Sequence, residues 1–144
     1  MLQKMRFLHT AFEKSVNSKG FDRCLKNVQI LSNVDGKCKA QFTVTEEHLN
    51  HFGTLHGGFT SSVIDVISSY ALTSYKNLNT TGASVDLHVT FLKAALPGDV
   101  VTVNAETIRA GKTLAFLAVE LTKNDGKDVV ARGQHTKYVA PTKK

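Results

Sequence analysis

The residue types suited to chemistry are concentrated in Asn50-His51-Phe52-Gly53-Thr54-Leu55-His56-Gly57-Gly58 and in one carboxylate downstream, Asp65. Adjacent glycines are costly in a helix. Gly57-Gly58, at the head of an apolar helical run, therefore marks either a close approach by a ligand or backbone, or a tight turn needing glycine for geometry alone. Unpaired N–H groups at a helix start attract negative charge and would stabilise a developing oxyanion. Asp65 stands inside Val63-Ile64-Asp65-Val66-Ile67. An ionised, unpaired carboxylate among apolar side chains is strongly disfavoured. Asp65 thus reads as a general base or nucleophile in a largely apolar pocket, or as a buried Asp satisfied by hydroxyls or an ion pair. Gly57 and Asp65 lie eight residues apart on one helix, about 12 Å along its axis. Joint action on one small carbonyl then requires the Asp of a second subunit, and so a dimer with two sites.

Other chemistries lack their motifs. There is no G-x-S-x-G elbow, no G-x-G-x-x-G fingerprint and no Cys-x-x-Cys for zinc. Gly111-Lys112-Thr113 resembles the end of a phosphate-binding loop, but Glu106 occupies the place of its first glycine and the segment joins two strands. His48, His51 and His56 cluster without a carboxylate-rich shell, so no metal is expected. Eighteen Lys and Arg against 12 Asp and Glu give a net charge of +6, which favours anionic partners. The cations are scattered and not interleaved with aromatics, which argues against nucleic acid. Cys24 and Cys38 are too few for a disulfide framework and suit a reducing compartment.

The elements that must position these residues follow from periodicity. The 144 residues, 42% of them hydrophobic, suit one domain with one core. No apolar run reaches the roughly 20 residues of a membrane helix, so no stable membrane insertion is expected. In Met1–Ser18, Leu2, Met5, Leu8, Phe12 and Val16 recur at helical spacing. That segment is either a mitochondrial presequence or a short amphipathic helix packed on the domain. Strands are expected from Val28 and over Cys38–Val44, joined by the hairpin pair Asp35-Gly36. Glu46–Asn50 reads as a loop or short turn. Leu55–Tyr75 is the long buried helix, whose Ser and Thr side calls for a partner and hints at an oligomer. Four strands follow. In the first, Val85, Leu87, Val89 and Phe91 alternate with Ser84, Asp86, His88 and Thr90. Turns at Pro97-Gly98-Asp99, Ala110-Gly111-Lys112 and Asn124-Asp125-Gly126 separate the rest, so successive strands should be antiparallel.

The stretch Asn50–Gly58 with Asp65, together with Ser84-Val85-Asp86, Gly111-Lys112-Thr113-Leu114-Ala115-Phe116 and His135-Thr136-Lys137, resembles the hotdog-fold thioesterases of the phenylacetate-pathway-like branch. The likeness runs from Gly20 to Tyr138. It implies an α+β fold, an antiparallel sheet wrapped around one long central helix, as a single domain over 1–144 with a short N-terminal helix. It implies dimers made by joining two sheets, and a homotetramer of paired dimers. The implied activity is hydrolysis of medium- to long-chain acyl-CoA. Gly57 and Asn50 would hold the thioester carbonyl, and Asp65 of the neighbouring subunit would activate water oriented by Ser84. His56 would shape the helix start without serving as the base. Glu46, His56, Asp86, Phe91, Lys93, Arg109, Gly111, Lys112, Thr113 and Tyr138 make up the implied substrate-binding set, with Lys93, Arg109 and Lys112 able to reach phosphates. Phe91-Leu92-Lys93-Ala94-Ala95 departs from the nearest family pattern. Coenzyme A is part of substrate and product, so no separate cofactor is implied, and the setting would be cytoplasmic, mitochondrial or both. A non-catalytic acyl-CoA-binding regulatory partner and a hotdog hydroxyacyl-thioester dehydratase are the competing readings.

Overall fold

The computed structural model describes residues 2–141, without the side chains of residues 2, 4, 5, 7, 8 and 77. The expected apolar positions Leu2, Met5 and Leu8 thus lie outside the described side chains. Helix α1 covers Leu2–Val16. Phe12 and Val16 are buried in the main core, and Phe12 meets the Tyr70 ring edge-on with centroids 5.6 Å apart. The second half of α1 is therefore part of the packed domain, as the amphipathic-helix reading expects.

Strands β1 (Gln29–Val34) and β2 (Lys37–Thr43) form the first hairpin. Asp35 and Gly36 turn it with φ of 50° and 80°, the positive values a tight hairpin needs. A short 3-10 turn at Glu46–His48 leads to α2 (Gly57–Ser74). Four strands complete the chain: β3 (Ala83–Phe91), β4 (Val100–Ala110), β5 (Leu114–Lys123) and β6 (Asp128–Tyr138). The six strands form one sheet in the order β1-β2-β4-β5-β6-β3, antiparallel throughout. Helix α2 touches all six strands. Its Val63, Ile64, Ile67 and Ala71 share one core with Ala40 and Phe42 of β2, Val101 and Val103 of β4, and Val119 and Leu121 of β5. Gly133 is what lets β6 come this close. A Cβ there would stand 2.7 Å from Ile64.

Three expectations are corrected. First, β3 and β4 are consecutive but not neighbours. The connection after Phe91 carries the chain across the sheet, and among the described residues β3 pairs with β6 alone, leaving its other edge free. Second, Val85 is not a core residue. The register shifts between Ser84 and Asp86, so Val85 is 60% exposed while Ser84 turns inward to His135. A bulge re-aims side chains in this way. Third, the hydroxyls of α2 find partners within the chain. Ser68 meets His135, Ser69 meets Lys137, and Ser74 donates to Asn33. The hint of a second copy therefore comes from the open edge of β3, not from the Ser and Thr side of α2.

Candidate functional site

The Gly57 end is built from local sequence. Leu49 and Leu55 form an isolated bridge, and between them Asn50 organises the loop. Its Oδ1 accepts the N–H groups of Phe52 and Thr54 at 3.0 and 3.1 Å, and its Nδ2 donates to the Thr54 hydroxyl at 2.9 Å. An amide nitrogen carries two hydrogens, so one N–H of Asn50 remains for a ligand. His56 caps α2, its Nδ1 accepting the Gly58 N–H at 2.8 Å. That is the structural role expected of it. The helix begins at Gly57, two residues after the expected start, and no acceptor among the described residues takes the Gly57 N–H. A Cβ on Gly57 would stand 3.2 Å from two carbons of the Phe91 ring, so only glycine leaves the ring undisturbed. Asn50, Gly57, Phe91 and Lys93 line one cleft of about 340 Å³, with Leu55, Ala95 and Val130 supplying apolar wall.

The Asp65 end is built from distant sequence. The Asp65 side chain is 46% exposed, which corrects the expectation of a buried carboxylate. Its sequence neighbours Val63 and Ile64 are buried, but adjacent helix positions lie about 100° apart. Ser84 of β3 approaches Asp65 Oδ1 at 3.5 Å. Behind Ser84 stands the buried ring of His135, its Nε2 at 2.8 Å from Ser84 Oγ and 3.8 Å from Asp65 Oδ1. The opposite ring nitrogen, Nδ1, lies 2.8 Å from the Ser68 hydroxyl. Burial chiefly, and then the nearby Lys137 ammonium, push His135 below its usual range, while Asp65 and Asp86 pull it up. His135 and Lys137 carried the resemblance as motif letters, without roles.

The remaining residues divide between the same two ends. Glu46 sits in the 3-10 turn after β2, near Asn50, and Phe91 and Lys93 follow at the end of β3. Asp86 lies one bulge from Ser84, and Tyr138 pairs with Ala83 and with Leu114. Arg109, Gly111, Lys112 and Thr113 form the exposed β4–β5 turn beside Leu114. The structure thus joins Asn50, Gly57, Phe91 and Lys93 at one end. It joins Asp65, Ser84, Asp86, Tyr138 and the 109–113 turn toward the other. Within one chain it does not join the two groups. Lys93 donates to Asp128 at 2.7 Å, and this hydrogen bond is the leading cause that lowers the Asp128 carboxyl pKa.

The three clustered histidines do separate jobs. His48 is buried, stacked on Phe59 at 4.3 Å, and its Nδ1 accepts the Thr45 N–H. His51 lies against Phe52, and His56 is the helix cap. Among the described residues no three His, Cys, Asp or Glu side chains converge as a metal site. No described helix is long and apolar enough to cross a membrane.

Known proteins share this architecture and much of its sequence. Residues 52–130 match the thioesterase superfamily model. Human acyl-coenzyme A thioesterase 13 is 37% identical over 139 residues, covering 96% of each chain. The crystal structure of zebrafish thioesterase superfamily member 2 superposes with a TM-score of 0.89 at 36% identity, over 94% of this chain and 97% of that one. A hypothetical thioesterase from Streptococcus pneumoniae, solved with coenzyme A, superposes at 0.72 with 26% identity, over 78% and 88% of the two chains. The chain belongs to the thioesterase superfamily and is a hotdog-fold thioesterase.

Proposed function

We propose that the chain hydrolyses medium- to long-chain acyl-CoA at a site shared between two copies of itself. The observation that carries this reading is the split just described. The Gly57 and Asp65 ends lie at opposite ends of β3, the strand whose outer edge is free. Two copies pairing antiparallel along β3, about an axis near Leu87 and His88, would set the Phe91 end of one beside the Ser84 end of the other. Each Gly57 then faces the partner's Asp65 end. The same rotation carries the partner's 109–113 turn toward Lys93, so the two groups of substrate-binding residues meet as well. A free strand edge is a ready template for such pairing.

In this reading the thioester carbonyl oxygen takes the free Gly57 N–H, with Asn50 beside it. Asp65 of the second copy removes a proton from water, and Ser84 holds that water. The water oxygen adds to the carbonyl carbon. The tetrahedral intermediate then collapses, breaking the C–S bond, and the proton held on Asp65 passes to the departing thiolate, so that fatty acid and the coenzyme A thiol leave and the carboxylate is restored. Coenzyme A enters as part of the acyl-CoA substrate and leaves as product, with no separate cofactor, metal or nucleic acid. Leu55, Phe91, Leu92 and Ala95 give the cleft an apolar wall. Each buried acyl methylene contributes about 0.8 kcal/mol, before ordering costs, which favours longer chains over acetyl. Ile108, Phe116 and Tyr138, 59%, 46% and 43% exposed on the sheet, support association of dimers into a homotetramer. The free thiols of Cys24 and Cys38 suit cytoplasm or mitochondrial matrix.

The test is complementation. A chain with Asp65→Ala and a chain disabled at Gly57 are each inactive as homodimers, but their heterodimer holds one intact site. It should recover up to about half of wild-type hydrolysis, with acyl-CoAs from acetyl to palmitoyl as substrates and free thiol as the readout. A purified heterodimer with no recovered activity rejects the shared site. A folded wild-type oligomer inert across the series rejects the hydrolase and favours an acyl-CoA-binding partner.

A further inference from the structure

Lys137 is 3% exposed, and the reaction above does not use it. Long ammonium side chains almost never go fully inside a protein unless paired. This one points inward from β6 and donates to the Ser69 hydroxyl of α2. Ser69 in turn donates to the backbone carbonyl of Asp65 at 2.7 Å. Two residues earlier on the same face of β6, His135 meets Ser68, and Ser68 donates to the same Asp65 carbonyl at 3.1 Å. His135 also meets Ser84, which meets the Asp65 carboxylate. Two arms of β6 therefore converge on Asp65 through adjacent serines of α2, and Ser84 pairs directly across the sheet from Lys137.

We propose that Lys137 is a positioning residue of this site, its ammonium seated on Ser69 so as to fix the Ser84–His135 pair against Asp65. The proposal rests on Asp65 and Ser84 acting as described above.

Charge explains why a cation belongs there. His135 Nε2 lies 3.8 Å from Asp65 Oδ1. A protonated ring would form an ion pair with that carboxylate and draw it away from water. The titratable groups facing His135 are Asp65 from α2, Asp86 from β3 and Lys137 from its own strand. Its β5 neighbour across the sheet is Leu117. Both acids favour the charged ring, and Lys137 alone among these neighbours opposes it. Burial lowers the pKa of Lys137 itself, and Asp65 opposes that. Burial first and the ammonium second disfavour the charged ring, which keeps the carboxylate available without Lys137 touching substrate.

The experiment compares wild type with Lys137→Met, Lys137→Arg and Ser69→Ala. The His135 ring is titrated by NMR, and kcat and KM for acyl-CoA are measured against pH. Lys137→Met should move the His135 titration upward. It should cost about tenfold in kcat near pH 6 and at most about twofold near pH 8, with KM unchanged. Lys137→Arg should keep the wild-type profile. Ser69→Ala, which keeps the charge but removes its seat, should fall between. An unmoved His135 titration in folded Lys137→Met overturns the proposal, as does an equal, pH-independent loss in the Met and Arg variants. The NMR titration needs no turnover. An inert wild type with a shifted His135 would reject the acyl-CoA reading and leave the Lys137–His135 coupling standing.

Discussion

The two ends of the candidate site solve different problems with different means. At the Gly57 end the active element is backbone: one N–H, exposed by a glycine, framed by Asn50, capped by His56 and roofed by Phe91. All but Phe91 come from nine consecutive residues. At the Asp65 end the proposed active element is a half-exposed carboxylate. Its support is drawn from α2, β3 and β6, with hydroxyl–imidazole and hydroxyl–ammonium contacts across 67 and 68 residues of sequence. A backbone donor needs only local shape. A side-chain base needs its charge state and direction held, and that takes neighbours from other elements.

Substitutions at each end sharpen this contrast. Asp65→Ala should give the largest effect, a loss of roughly 10²–10⁴-fold in kcat, with the unfolding free energy within about 0.5 kcal/mol of wild type because the side chain is half in solvent. Turnover within a few-fold of wild type would place the base elsewhere. Gly57→Ala keeps the N–H but pushes on the Phe91 ring, so a loss of about tenfold in kcat/KM is expected. Phe91→Ala in the same chain should recover part of it, and a double variant no better than the single would clear the ring of blame. His56→Ala should cost about 1 kcal/mol of stability through the lost cap, measured by urea unfolding.

The smallest effect concerns pH. Burial lowers the pKa of both His48 and His135 in the fold. The unfolded chain then binds protons more readily below the ordinary histidine value of about 6.5, so stability is full above that value and declines as pH falls toward the lowered folded values. The urea midpoint should drop between about pH 7 and pH 5, and His48→Gln should flatten the slope. Identical slopes in the two proteins would contradict the assignment.

The contrast also explains what could be read from the chain. Period-two alternation is plain in Cys38–Val44 and Val101–Ala105, where the alternate apolar residues are the buried ones, and the apolar girth of Leu55–Tyr75 points to the central helix found at Gly57–Ser74. The Asn50–Gly58 stretch was legible because its partners are its own neighbours. Asp65 misled because the flanks of a helical residue describe other faces of the helix. Val85 misled because a bulge changes the phase of a strand without a signature letter. The pairing of β3 with β6 was invisible for a related reason. The turn at Pro97-Gly98-Asp99 says that the chain reverses, not how far it travels first. His135 and Lys137 reach Asp65 through the packing of β6 on α2, close at Gly133, and Ser84 joins them through the β3–β6 pairing, so this cluster could not be read before the topology.

The place of β3 has a consequence for how the protein is born. On the ribosome β3 is complete at Phe91, while its sole partner begins at Asp128. Through that interval both of its edges are bare, and the cap at His56 can already be closed while nothing yet stands behind Asp65. Early-formed local structure and a late, long-range closure mean that β6 both shields β3 and completes the Asp65 end. A nascent chain stalled before β6 would offer an exposed template for misassembly.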